Sequence, residues 1–176
     1  MGKRASFWSD SALQPKRQHR WLLTVGSTGH ISIPTYIIKR VDKPKFMVNA
    51  ITHSYFGHKF YYPGNVEWQQ ISFTLVDPID PDASSELYEA LLFGGYGQPE
   101  SHPVGTLSKD LSVKVLGEKV ILEQLNADNV VVDKFSLINP WITNVDFGSL
   151  AYESDAMLEI SVSLRYDYAL FEKPGA

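Results

Sequence analysis

The chain has 176 residues, 44% hydrophobic and 20% charged, a balance that suits one domain burying on the order of 70% of its unfolded surface. It has no cysteine, which excludes a disulfide framework and a thiolate metal site and is compatible with assembly in a reducing cytoplasm. No run reaches the roughly 20 apolar residues of a membrane helix, and the first residues lack the apolar core of a secretion signal.

The net charge of -4 is unevenly spread: residues 1–20 hold Lys3, Arg4, Lys16, Arg17 and Arg20 against Asp10 alone, a balance of +4, so the remainder sums to -8. A basic arm on an acidic body divides the chain into residues 1–20 and a domain over residues 21–172. Phe7, Trp8 and Leu13 are apolar anchors that a purely electrostatic tail does not need. Three roles compete for the arm: a solvated terminus, docking onto a neighbouring subunit, and, least favoured, nucleic-acid binding.

Residues 20–25 and 31–38 read as strands of a hairpin around Gly26-Ser27-Thr28-Gly29, with Pro34 placing the second at an edge. Lys43-Pro44-Lys45 resets the chain into a strand over 46–55, and Phe56-Gly57-His58 turns it back through 59–62. This second hairpin is rich in aromatics: Tyr55, Phe56, Phe60, Tyr61 and Tyr62. In the strand predicted over 66–76, Val66 and Trp68 share one parity while Ile71, Phe73 and Leu75 share the other. A bulge near Gln69 and Gln70, or burial of both faces, would reconcile them.

Asp77-Pro78-Ile79-Asp80-Pro81-Asp82 reads as a loop ending in a helix start, with Asp80 as cap and Pro81 at the first helical position. Leu87, Tyr88, Leu91 and Leu92 form one apolar stripe, which Gly94-Gly95 stops. Residues 94–108 read as loop, 111–116 and 119–124 as strands around Gly117-Glu118, and 130–138 as a Val-rich buried strand ended by Pro140. Then Leu158, Ile160, Val162, Leu164, Tyr166 and Tyr168 alternate with Glu159, Ser161, Ser163, Arg165 and Asp167. A continuous strand over 157–168 would span roughly 40 Å. The pattern predicts a mainly β, antiparallel sandwich or barrel with one short packed helix.

Chemistry for an enzyme is thin. His19, His30, His53, His58 and His102 are scattered, and only His53 and His58, flanking a turn, could meet across a hairpin. Asp77, Asp80 and Asp82 lack the glycine and distal glutamate of an EF-hand, so capping explains them better than calcium. The aromatics beside Lys59 could stack on single-stranded nucleic acid, but the acidic body opposes phosphate binding. No catalytic set, cofactor site or metal site is predicted.

The segment Asn139-Pro140-Trp141-Ile142-Thr143-Asn144-Val145-Asp146-Phe147, together with Gly64 and Trp68 leading to Ile71, Phe73 and Leu75, resembles the tail tube protein family of T4-like contractile-tailed bacteriophages. The resemblance is strongest over 59–77 and 120–168. It departs in the longer basic arm and in the Gly/Pro-rich stretch 94–105.

The resemblance implies a structural subunit of a homohexameric ring, joined edge to edge, whose stacks form a channel for DNA ejection. The strand edges flanking 130–138 and 157–168 would pair between subunits. The hairpin over 52–62 would reach the adjacent ring through Tyr55, Phe56, Tyr61 and Tyr62. The polar face Glu159, Ser161, Ser163, Arg165 and Asp167 would line the lumen, with Arg165 paired to Asp167 or Glu159.

Implied partners are further copies, the tail sheath, the tape measure protein, the baseplate or tube initiator and the tail terminator. DNA is met only in transit. The implied location is the virion tail, assembled in the host cytoplasm. A tube initiator or the inner tube of a contractile injection system is the nearest alternative, and a small ligand-binding β-barrel a more distant one.

Overall fold

A computed structural model describes residues 15–26, 28–100 and 105–174. The arm anchors Phe7, Trp8 and Leu13 lie outside the described residues. In chain order the elements are β1 (Trp21–Thr24), β2 (Ile38–Val41), β3 (Lys45–Tyr55), β4 (His58–Gln69), β5 (Ile71–Val76), α1 (Ala83–Phe93), α2 (Lys109–Leu116), β6 (Lys119–Leu125), β7 (Val131–Ile138), β8 (Trp141–Asp146), β9 (Glu159–Arg165) and β10 (Tyr168–Glu172). A 3-10 turn, Thr35–Ile37, precedes β2.

The strands form two four-stranded sheets, ordered β1-β6-β7-β10 and β2-β5-β9-β8, and a separate pair, β3-β4. Every pairing is antiparallel. Register explains the core. Ile71 lies opposite Leu164, Phe73 opposite Val162 and Leu75 opposite Ile160, so all six share one face of the second sheet. Each of the six is at most 1% exposed. Across from them Leu23, Val120, Leu122 and Leu137 of the first sheet join the same buried cluster, and Leu87, Ala90, Val115 and Leu116 of the two helices pack onto it.

Several sequence expectations change. The strand foreseen over 157–168 is two strands in different sheets: β9 ends at Arg165, and the Asp167 amide donates to the Ile138 carbonyl at 3.0 Å, so β10 enters the first sheet. Alternation continues unbroken through such a corner, and for that reason period alone does not reveal it. Residues 111–116 form a helix. Ser108 accepts from the Leu111 amide at 3.2 Å, Lys114 pairs with Asp110 one turn back at 2.7 Å, and Gly117, with φ at 83°, ends it. Six residues reading Leu-Ser-Val-Lys-Val-Leu are too few for their period to choose helix over strand, and the Ser108 cap favours the helix. The protein therefore has two helices among its described residues, not one.

Residues 31–38 are not the second strand of a hairpin: Ile33 makes a single bridge to Val25, Ile38 opens β2, which pairs with β5, and β1 pairs with β6. The amides of His30 and Ile31 donate to the carbonyls of Lys114 and Val115, so this loop is tied to α2. The cap of α1 is Asp82, whose carboxylate accepts from the Ser85 amide at 3.1 Å, while Asp77 accepts from Ser84. Asp80 does not cap. The parity change between Trp68 and Ile71 marks the point where the chain passes from the hairpin pair into the second sheet, at Gln70.

Candidate assembly surfaces

Two surfaces carry the residues the sequence singled out. The first is the hairpin of β3 and β4. Its turn is Phe56-Gly57, with φ of 47° and 77°. Positive φ at both central positions gives the turn the twist that two-residue hairpins prefer. A step in register opposite Asn49 places Gly64 and Asn65 against one residue, and a Cβ on Gly64 would lie 2.8 Å from the Asn49 carbonyl. Glycine permits that bulge.

Every residue of β3 is exposed. Cross-strand partners assign the faces: Phe46, Val48 and Thr52 lie opposite Trp68, Val66 and Tyr61, while Ile51, His53 and Tyr55 lie opposite Tyr62, Phe60 and His58. Both faces are therefore apolar. Tyr61 and Tyr62 stand on opposite faces, Tyr55 shares the Tyr62 face, and Phe56 forms the tip with an edge contact to Tyr55 at 4.4 Å. The four predicted residues form a two-sided blade, not one patch. At its root Trp68 meets Phe46 at 5.5 Å and the buried Tyr166 at 6.1 Å. Burial raises the pKa of the Tyr166 hydroxyl.

The second surface is the outer face of the β2-β5-β9-β8 sheet. Glu159, Ser161, Ser163 and Arg165 do lie on the face of β9 opposite the core residues. The Ser163 and Ser72 hydroxyls bond at 3.0 Å, and Lys39 pairs with Glu159. Arg165 pairs with Glu67 of β4 at 3.0 Å, not with Asp167 or Glu159. Asp167 lies beyond β9 at the corner. It accepts from Lys109 at 2.7 Å and from Asn139 at 2.9 Å. Those two donors hold its carboxyl below the usual carboxylate range. Asn144 and Asp146 stand opposite Ser163 and Ser161, extending the polar face onto β8.

The strands expected to present free edges do not. β7 lies between β6 and β10, and β9 between β5 and β8. The outer strands are β1, β10, β2 and β8. Sequence pattern marks which strands are buried, and buried strands are the central ones, whose edges are already paired.

The sequence reading also missed a strap. The Lys16 ammonium donates to Asp133, which is 4% exposed, and Gln124, 7% exposed, donates to the Arg17 carbonyl at 2.9 Å. Lys43 donates to the same Gln124, and the Leu125 amide donates to the Arg20 carbonyl at 3.0 Å. A carboxylate inside a Val-rich strand was the available signal, because a buried charge requires a partner.

A recess of about 990 Å³ lies between the helices, β8 and the hairpin root, lined by Trp68, Leu91, Leu107, Trp141 and Val145. Its floor reaches core residues Leu87, Ala90 and Val115. His53 and His58 are not cross-strand partners, and among the described residues no three metal-binding side chains converge. Likewise no described helix is long and apolar enough to cross a membrane.

No family model matches the sequence, and no curated protein matches it. Solved structures do. A chain of the anti-feeding prophage baseplate, reconstructed with six-fold symmetry, superposes with a TM-score of 0.66 at 14% identity, covering 93% of this chain and 99% of that one. A chain of the sheath-tube complex of an extracellular contractile injection system, PVC, in its extended state, gives 0.65 at 14% identity, covering 96% and 98%. A type six secretion system protein gives 0.51 at 10% identity, covering 88% and 83%. The fold is that of chains found in contractile injection systems.

Proposed function

We propose that this chain is a structural subunit of the inner tube of a contractile device, stacking as homohexameric rings around a channel. The observation that carries the reading is correspondence along nearly the whole of both chains with a chain from a sheath-tube complex. The six-fold symmetry of the baseplate assembly that holds another such chain supports the ring number. A heterologous contact between identical copies closes into a ring when its rotation does.

In this reading the open edges β2 and β8 pair between neighbours. The core faces outward from the lumen and the polar face of Ser72, Thr74, Ser161, Ser163, Asn144 and Asp146 lines it. Screening limits each charge to about 8 Å at physiological ionic strength, so such a wall works by lacking cationic patches that would retain a polyanion. The pairings of Arg165 to Glu67 and of Lys39 to Glu159 fit this because they mask two cations of that sheet, whereas Arg40, opposite Thr74 on the same face, is exposed and joins no ion pair among the described residues. Function here is geometry and surface chemistry, with no bond-making step.

Two devices suit such a tube. The resemblance of residues 59–77 and 120–168 to phage tail tubes favours DNA ejection from a virion tail assembled in the host cytoplasm, with sheath, tape measure, baseplate or initiator, and terminator as partners. The likeness to anti-feeding prophage and PVC chains favours an extracellular injection device. Negative-stain microscopy of the purified chain tests the common reading: rings and tubes are expected, and a lasting monomer at high concentration would overturn it. Nuclease-resistant DNA in particles purified through a tagged chain separates the two devices.

A further inference from the structure

The two ends of the second sheet differ in chemistry. The hairpin leaves from the end where β4 passes into β5, and between residues 50 and 64 it carries Lys59, His53 and His58 and no acid. At the other end of β5 lie the loop after Val76 and the loop between β8 and β9, joined by the Asp77 amide donating to the Leu158 carbonyl at 3.0 Å. Neither residues 70–108 nor residues 135–158 contain a lysine or arginine. Glu153 and Asp155 are exposed and join no ion pair among the described residues. On the same two loops Ile79 and Tyr152 are fully exposed, Leu150 is 89% exposed and Met157 is 76% exposed.

Single exposed apolar side chains need no explanation, but several on two adjoining loops make a patch that calls for a partner. An anionic membrane or nucleic acid is disfavoured by the carboxylates. A cationic, aromatic partner fits, and the chain itself supplies one at its opposite end. We propose that this loop end is the receptor for the hairpin of a second copy stacked upon it. Phe56 at the tip and Tyr61 seat against Ile79, Leu150 and Tyr152, and Lys59, opposite Ser54 on the Tyr61 face, meets Glu153 and Asp155. The inference rests on the tube reading and adds the surface that receives the hairpin. Because donor and receptor occupy opposite ends of one molecule, the contact is head-to-tail and propagates along a stack.

The absence of native cysteine makes the test clean. Phe56→Cys and Tyr152→Cys are prepared separately, mixed, assembled and oxidised. A covalent heterodimer is expected in tubes and not in dissociated subunits. Lys59→Glu is expected to cut tube mass at least tenfold while rings persist, and adding Asp155→Lys to restore it. Tubes that form normally with Lys59→Glu, or in which Phe56→Cys links to Tyr36→Cys, on the exposed 3-10 turn before β2, and not to Tyr152→Cys, would overturn the receptor and leave the tube reading standing. Failure of the unmodified chain to form rings would overturn both.

Discussion

β3 and β5 are both apolar strands of one chain with opposite surroundings. In β5 the apolar residues fall on one parity, Ile71, Phe73 and Leu75, and all are buried against the opposite sheet. In β3 they fall on both parities, with Phe46 and Val48 on one side and Met47 and Ile51 on the other, and every residue is exposed. One-sided apolarity is satisfied within a domain. Two-sided apolarity on a strand pair that no other described strand joins is left unburied within the described residues, and a lone hairpin is marginal in water. The sandwich is thus satisfied within the subunit, and the hairpin is the surface that the proposed assembly would cover.

Truncating the core should give the largest effect. Phe73→Ala is expected to cost about 3–5 kcal/mol, a large share of the roughly 5–15 kcal/mol typical of a domain, as read by denaturant titration. The hairpin should respond in the opposite way. Tyr61→Ala combined with Tyr62→Ala is expected to change subunit stability by no more than about 0.5 kcal/mol per site. It should nonetheless shorten or abolish tubes, and because the two rings lie on opposite faces, each single variant should do part of this. Normal tubes in the double variant would assign both rings to the fold rather than to assembly.

The strap gives an intermediate case. Lys16→Ala leaves the buried Asp133 carboxylate without its cation, at an expected cost of about 1–2 kcal/mol, at the low end because Lys16 is half exposed. This sharpens the test of the basic arm. Removing residues 2–14 should leave subunit stability unchanged and weaken tubes, whereas removing residues 2–19 should also destabilise the sandwich. Tube stability unaffected by the shorter deletion, with DNA retention reduced, would identify the arm as a nucleic-acid tail.

The smallest effect concerns pH. The Asp167 carboxyl is held below its ordinary pKa by Lys109 and Asn139, so its contribution is present at neutral pH and is lost as pH falls through that depressed value. Asp167→Asn should therefore flatten the acid limb of the stability profile slightly and leave the neutral region nearly unchanged.

Much of the sandwich was legible because register has period two. The alternation from Leu158 to Tyr166, the parity of Ile71, Phe73 and Leu75, and the turn at Phe56-Gly57 all follow from local chemistry. Three features were not. The corner at Asp167 preserves alternation while changing sheets. The run 111–116 is too short for its period to choose helix over strand. The position of a strand within its sheet depends on partners distant in sequence, so β7 and β9 read as strong strands but not as central ones. For the assembly surfaces, the aromatic excess of the hairpin was visible. Its division into two faces needed the register set by the bulge at Gly64, and the receptor end needed two loops separated by some seventy residues to be brought together.

Hydrogen exchange of free and assembled protein tests the contrast between sandwich and hairpin most directly. Amides of 71–76 and 159–165 should exchange slowly and alike in both states. Those of 45–69 should exchange rapidly in the free subunit and become strongly protected in tubes. A hairpin already protected in the free subunit, or one still unprotected in tubes, would contradict the account.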